Sequence, residues 1–585
     1  MKFSKLTIIQ KPKKMKNVIV CSLFLLGGIA SVSAATLEAS TNQPVYSGTT
    51  CPLLSIVSGS GKTSYVGGTI GDPCDPAATE GIYFNAPSGS VLTFTSSNTN
   101  VVKVADITAT ELASGLFAVR IKPTGVGKTT ITVKLSGASN YKIEYAASKA
   151  NNIATRWFYG SSDASAIADA GSGYFFVADD ETNIIRLHNA EQSGMPLAKF
   201  DATSMAGGTS SEEYDVEGAS SSDDGKTIYW IASLSNNKSG KEKPYRNRVF
   251  STKVTGTGTG AKLSAGAYST KMRDALIAFG DANGWDFTAS ASFKNKMIPK
   301  RIDGFNIEGL TLRKGGGAAY IGFRAPCVPL KGVAPTSSNR KYAVMAMVNN
   351  FEAMLSGSGQ SSISPQVATA PILFDFGGLG IRAIERVGDY YVIIAGLFEG
   401  GGTPKAYLWD GTIHADASPF TAGDGHLTEI NIDMSDLVQQ TGSEVEGHPE
   451  AVLARQEGND LIISLVCDNG SVDFYGDGNE NKVYSADTGK YPWGKFRMDT
   501  FVYPMPSPSG VSTIAMQPTM GIALTNGILT VGNLTPGTPV VVTTADGTLV
   551  GSAIATASTL SMPLPNTSSV YIVRAGDKVV KVYTR

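Results

Sequence analysis

Three carboxylates and one guanidinium recur at one place in a repeated pattern. Glu217, Glu308, Arg382 and Glu450 each stand close to the start of an apolar strand and just before a small residue, in Val216-Glu217-Gly218-Ala219, Ile307-Glu308-Gly309-Leu310, Ile381-Arg382-Ala383-Ile384 and Pro449-Glu450-Ala451-Val452. Carboxylates held close together raise one another's pKa or recruit a cation, and arginine suits two-pronged recognition of an anionic group. Set around one point, the four residues form a candidate catalytic site. Glu217, Glu308 and Glu450 form a candidate metal site in the same place. Oxygen ligands point to calcium as the ion, although nothing in the sequence demands a cofactor. Arg324, at the end of the strand that follows Glu308, reaches the same region. Arg324, Asp215 and Arg248 are candidates for binding a ligand.

The spacing of these residues says what must hold them. From about residue 151 to 505 a strand start, a Gly or Asp turn and a strongly apolar strand recur, as in Asp215–Ala219 with Tyr229-Trp230-Ile231-Ala232-Ser233 and in Asn306–Leu310 with Ala319–Arg324. Gly380–Ile384 with Tyr391–Gly396 and His448–Val452 with Leu461–Leu465 repeat the theme, and Ser162–Ile167 with Tyr174–Asp179 is a weaker copy. Strand, hairpin and further strand at this period describe the blades of a β-propeller, and the length predicts six or seven of them. In that fold the innermost strands line a central channel, so equivalent residues converge on its axis. A short helix is expected as an insertion over 270–279, and an assembly of β-sandwiches is the alternative architecture.

Charged residues are sparse, at 17 %, and 65 glycines punctuate the chain, a composition of turn-rich all-β structure. Lys11, Lys13, Lys14 and Lys16 precede the apolar run Val18–Ile29 and the small residues Val32-Ser33-Ala34, which reads as a signal peptide over 1–34. That run is too short to span a bilayer, so no transmembrane span is expected. Residues 35–150 alternate with period two in short strands and predict an Ig-like β-sandwich, residues 506–520 a linker and residues 521–585 a small C-terminal β-sandwich. After the leader four cysteines remain, of which Cys51 and Cys74 are the plausible disulfide pair. Cys327 and Cys467 end apolar strands, as buried thiols do.

Three resemblances rest on these segments. Gly125–Val133 resembles the last strands of bacterial immunoglobulin-like modules, which act as spacers or adhesive units. Asp215–Ala219, Tyr229-Trp230-Ile231, Arg246-Asn247-Arg248, Ile307–Leu310, Tyr320–Pro326, Gly380–Arg382 and Leu408–Gly411 resemble a bacterial propeller family known only as a domain of unknown function. That family is similar at a distance to esterase-like phytase propellers, which implies calcium and phosphate esters. Asp546–Val550, Val570–Arg574 and Val579–Val582 resemble the C-terminal sorting domain of type IX secretion, with Val570 where a Gly is usual. The last resemblance implies the type IX secretion machinery as a partner and an address on the outer-membrane surface or outside the cell. Without it the leader alone implies the periplasm.

Other chemistries lack material. Four scattered histidines supply neither a zinc site nor a serine–histidine triad, and basic patches with interleaved aromatics are missing, which argues against nucleic acid. Gly59–Thr63 and Gly125–Thr129 imitate the end of a phosphate-binding loop without its first glycine. Asp468–Glu480, with Asp473, Asp477 and Asn479, has the composition of a calcium loop without the EF-hand spacing, and a solvated turn is the better reading of it. Two classes of function remain. One is a surface protein whose propeller binds a small molecule, glycan or protein at its axis. The other is an extracellular, calcium-assisted ester or phosphoester hydrolase using the axial carboxylates. A structural alternative is that each glutamate accepts backbone N–H groups from the next blade and only latches the ring.

Overall fold

The computed structural model describes residues 35–40, 54–57, 62–69, 81–148, 155–191, 193–208, 213–292, 298–399, 402–432, 440–441, 444–445, 448–484, 493–505, 521–525, 528–544, 548–564, 570–576 and 578–583. The signal peptide, the Cys51–Cys74 pair and the 506–520 linker lie outside the described residues. Alternating side chains and glycine turns give strands almost throughout, as the composition predicts for an all-β chain.

The middle of the chain is a ring of antiparallel sheets. Blade 1 runs outward from the axis through Ala164–Gly171, Tyr174–Asp179, Thr182–Asn189 and Ala198–Asp201, and blade 2 through Val216–Ser221, Thr227–Ala232, Val249–Thr255 and Lys262–Ser269. Blade 3 comprises Asn306–Leu312, Ala319–Ala325, Ala343–Val348 and Ile372–Asp375, and blade 4 Gly380–Val387, Tyr390–Gly396, Lys405–Trp409 and Leu427–Ile430. Blade 5 is composite. Its inner strands His448–Glu457, Asp460–Asp468 and Lys495–Pro504 come from the end of the ring, and its outer strand Thr155–Tyr159 comes from the beginning. The five innermost strands contact one another in sequence, and the first also contacts the last, so the ring closes.

Five blades thus replace the six or seven that length predicts. The surplus residues lie between strands. The connection from blade 2 to blade 3 holds the helix Met272–Ala282, close to the expected insertion, and the short helix Phe287–Ser290. Blade 3 carries a long excursion between Ala325 and Ala343. Two short strands, Gly359–Gln360 and Phe420–Thr421, add in parallel to the outer edges of blades 2 and 3 and shield them.

Apolar cores fill the wedges between blades. Trp230 and Phe176 pack between blades 1 and 2, Ile307, Phe323 and Trp285 at blades 2 and 3, and Trp409, Tyr391 and Tyr320 at blades 3 and 4. Cys327 and Cys467 are buried free thiols in this interior. Burial pushes the Cys327 thiol up to about 12, so neither chemistry nor pairing is suited to it.

Before the ring, two sheets enclose Val66, Phe84, Val119, Ile131 and Ile143. Gly127–Lys134, half of one phosphate-loop look-alike, is a strand of this sandwich. The sandwich is fastened to blade 5. Lys128 pairs with Asp477 and donates to the Tyr484 hydroxyl at 2.9 Å. The fully buried Lys495 donates to Ser148 at 2.6 Å and lies 4.3 Å from the Trp157 ring centroid. Asp473 accepts the backbone N–H groups of Tyr475, Asp477 and Gly478, so this segment is a turn that satisfies itself, and through Asp477 it docks the sandwich. The described residues between 521 and 583 form two further sheets around Leu529, Val531, Val540, Val542, Tyr571 and Val573. Among the described residues no helix is long and apolar enough to cross a membrane.

Candidate functional site: the axial mouth

One irregularity repeats in every innermost strand. Pairing runs Ala164 to Asp179 and then Ala166 to Ala178, Val216 to Ala232 and then Gly218 to Ile231, and Ile307 to Phe323 and then Gly309 to Gly322. It runs Ile381 to Ala395 and then Ala383 to Ile394, and Pro449 to Cys467 and then Ala451 to Val466. The residue skipped in each blade is the extra residue of a β-bulge: Ser165, Glu217, Glu308, Arg382 and Glu450. A bulge bends the strand and re-aims one side chain out of the alternating pattern. Four of the five are the residues that the sequence singles out, and the fifth, Ser165, completes the ring.

The small residue after each bulge follows from the tight ring. A Cβ added at Gly218 would come within 3.0 Å of the Leu310 Cβ on blade 3, and one at Gly309 within 2.8 Å of the Ile384 Cδ1 on blade 4. Gly or Ala at 166, 218, 309, 383 and 451 lets neighbouring inner strands approach. The pattern that sequence reading takes as a motif is therefore partly a packing requirement.

Ser165, Glu217, Glu308 and Glu450 line an axial cavity together with Ala219, Leu310, Ile384 and Val452. Its empty space, including the open mouth, is about 210 Å³. One side of this mouth is electrically balanced. Glu308, 1 % exposed, is paired with Arg324 of its own blade and forms an ion pair with Arg382 of the next blade, Nε 2.8 Å from an Oε2 that takes no hydrogen bond, and Arg382 also pairs with Glu450. Arg324 donates onward to the Phe398 carbonyl at 2.9 Å, and the Asn306 amide to Glu308 at 3.3 Å. The partners of Glu308 are thus guanidinium and amide groups, which replaces the expected latch through backbone N–H donors. Burial opposes ionisation of Glu450, but Arg382 and Arg324 outweigh it and hold its pKa below the usual range. Burial raises Glu308 against the pull of the same two arginines.

The other side is not balanced. Glu217, 6 % exposed, keeps Oε2 without a hydrogen-bond partner. Burial, with Asp215, Glu308 and Glu450 nearby, pushes its pKa well up. Asp215 takes Arg246 Nη1 on its Oδ2 at 2.6 Å from a backbone with φ of +58°, and burial pushes it up to about 6. Asp180 lies beside them, with Oδ1 buried and unpartnered. Burial raises Asp180 and Asp163 well above the ordinary carboxylate value and Asp468 to about 7, reinforced by their mutual repulsion. Lys300, exposed on the blade 2 to blade 3 connection, is near enough to lower both Glu450 and Asp468 electrostatically.

The structure brings Glu217, Glu308, Arg382, Glu450, Arg324 and Asp215 together. It does not bring Arg248, which donates to the Ala206 carbonyl at 3.0 Å among the rings of Tyr214, Tyr245 and Tyr268. The arginine that reaches Asp215 is Arg246, two residues earlier. Nor do Glu308 and Glu450 offer the metal site expected of them, because both are taken by guanidinium groups. His188 is a core residue stacked on Phe175 and depressed to about 3 by burial, so it stays neutral.

No family model matches the chain, and neither does any curated protein. Similar solved structures include a protein of unknown function from Bacteroides thetaiotaomicron, at 9 % identity over 80 % of this chain and 100 % of that one, with a TM-score of 0.23. PorZ, a surface component of the type IX secretion system of Porphyromonas gingivalis, is similar at 11 % identity over 78 % of this chain and 56 % of its own, with a TM-score of 0.20. A catalytically inactive virginiamycin B lyase from Staphylococcus aureus with quinupristin is similar at 10 % identity over 70 % and 99 %, with a TM-score of 0.23. Likeness at this level carries no activity across. Membership of the propeller family of unknown function, and a relation to phytases, are not shown by these matches.

Proposed function

We propose that this protein is exported and uses the axial mouth of its propeller to bind a ligand through a basic group, without transforming it. The observation that supports this reading is the buried, unpartnered Oε2 of Glu217, set at the mouth of the cavity beside the raised carboxylates Asp180, Asp215 and Asp468. A buried acceptor without a donor costs about 1–3 kcal/mol, which a ligand's N–H returns on binding. An ammonium or guanidinium group on a small molecule, glycan or protein would also find the acidic excess it needs. The enclosed part of the cavity has room for a group about the size of a water molecule, such as an ammonium, so the rest of a ligand would lie outside it.

Ester or phosphoester hydrolysis fits less well. It asks Arg382 to clamp an anion and a carboxylate to activate water, but Arg382 is held between Glu308 and Glu450. For export we take the leader over 1–34 to start translocation and residues 521–585 to serve as the type IX sorting module. Supporting this is the separate core that the C-terminal sheets enclose. Deleting 521–585 is then expected to leave the protein in the periplasm.

The deciding experiment is a thermal-shift screen of amines, amino sugars and basic peptides, with hits compared in Glu217→Gln, alongside hydrolysis of an ester and phosphoester panel with and without calcium. Hits that fade in the folded variant, with no turnover, support binding. Calcium-dependent turnover lost in folded Glu308→Gln would sink it in favour of the hydrolase.

A further inference from the structure

We infer that Asp180, Asp215 and Glu217 form a resident site for one hard divalent cation of the calcium class, at the junction of blades 1 and 2 beside the axial cavity. Each offers a carboxylate oxygen, and the three lie within 4.8 Å of one another. Two independent features mark the group as built for an ion rather than as an acidic surface. Glu217 and Asp215 are more than nine-tenths buried, at 6 % and 7 % exposure. Glu217 Oε2 and Asp180 Oδ1 are buried with no hydrogen-bond partner; Glu308 Oε2 shares that lack but faces Arg382 Nε at 2.8 Å, and Ser161 donates to Asp179, whereas no such group faces Glu217 Oε2 or Asp180 Oδ1 among the described residues.

Charge agrees with geometry. The guanidinium in contact with the group is Arg246, which touches Asp215 and is shared with Glu213. Once ionised, three carboxylates against this one cation carry an excess of at least two negative charges, which a single divalent ion neutralises. Oxygen-only donors exclude the softer metals, and a set assembled from a turn, a left-handed residue and a bulge suits calcium. Calcium accepts irregular oxygen cages completed by carbonyls and water, whereas magnesium demands a near-regular octahedron.

The site differs from the one that sequence spacing predicts, since Glu308 and Glu450 are replaced by Asp180 and Asp215. It shares Glu217 with the lining of the proposed ligand mouth, and Asp180 and Asp215 with the acidic surroundings of that mouth, but Asp180 does not line the cavity, so Asp180→Asn separates calcium binding from amine binding.

The test is isothermal titration and thermal unfolding of the full mature chain, stripped with a chelator and titrated with calcium chloride or magnesium chloride. One equivalent of calcium should bind, with melting raised by several degrees and the rise reversed by chelator. Asp180→Asn should weaken calcium binding at least about tenfold while amine hits at the axis persist, and Glu217→Gln should weaken both. Exposed Glu457→Gln should change nothing. Absence of heat and of thermal shift in the wild type with either salt would overturn the site, whatever the variants do. Unchanged calcium affinity in folded Asp180→Asn would also overturn it, and tighter magnesium than calcium would overturn the ion assigned.

Discussion

The two halves of the axial mouth use the same residue types to opposite ends. Across blades 3, 4 and 5, Glu308, Arg324, Arg382 and Glu450 neutralise one another and tie blade to blade. Across blades 1 and 2, Asp163, Asp180, Asp215 and Glu217 outnumber their cations, and Asp180 Oδ1 and Glu217 Oε2 stay buried and unpartnered. A carboxylate at an equivalent position of a repeat is thus structural or available according to whether a neighbouring blade supplies an arginine. Position in the repeat puts the group at the axis, and the next blade decides what it does there.

The sharpest way to break this contrast is to remove the shared arginine. Arg382→Ala strands Glu308 and Glu450 in the interior, and denaturant unfolding should show a loss of about 3–5 kcal/mol. Overfilling the ring tests the packing beneath both halves. Gly309→Val should cost about 1–3 kcal/mol or more by forcing the blade 4 inner strand outward, measured in the same way. The acidic half should respond with the opposite sign, since Glu217→Gln removes a buried carboxyl whose Oε2 has no partner and whose ionisation burial opposes. In chelator its melting temperature should equal or exceed that of the wild type. A large loss there would give Glu217 the same structural role as Glu308.

Acidity separates the halves further. Carboxyls raised in the fold, such as Asp215 to about 6 and Asp468 to about 7, bind more protons folded than unfolded at intermediate pH. Their contribution is fully present below the unfolded value near 4 and is lost as pH rises through 6 to 7. In chelator, melting should therefore fall between pH 5 and pH 8, and Asp468→Asn should flatten that slope. Glu450, whose folded pKa is lowered, acts in the reverse sense and withdraws its support only as pH drops below about 4. The smallest effect is expected far from the mouth. Exposed Arg455→Ala breaks a surface pair with Glu457 and should change stability by less than about 1 kcal/mol.

Much of the mouth was legible because a repeat announces equivalence. Glu217, Glu308, Arg382 and Glu450 stand at matching points before small residues, and the weak copy at Ser162–Ile167 contains the fifth, Ser165. Ser165 escaped notice because a serine there carries no charge, although its hydroxyl donates to the Val216 carbonyl of blade 2 at 2.5 Å. Asp180 and Arg246 escaped for another reason. They lie in turns and connections beyond the strands, where periodicity says nothing about which side chains meet. Chain length overstates the number of blades because helices and excursions occupy it without adding sheets. The bulges themselves are invisible in sequence, since a bulged residue breaks alternation by one place and resembles any strand start.

The composite blade has a mechanical meaning. The chain enters the ring at Thr155, which pairs with Asp499, and leaves it just beyond Pro504, so the flanking modules attach at the same end of one antiparallel pair. A pull between those modules would peel the rungs from Thr155 toward Tyr159 one at a time, the weakest way to load a sheet. The contacts of Lys495 with Ser148 and of Lys128 with Asp477 bypass that seam, because they join the sandwich directly to blade 5. A protein stretched between two anchorages would therefore have to shear this clamp before the ring could unzip.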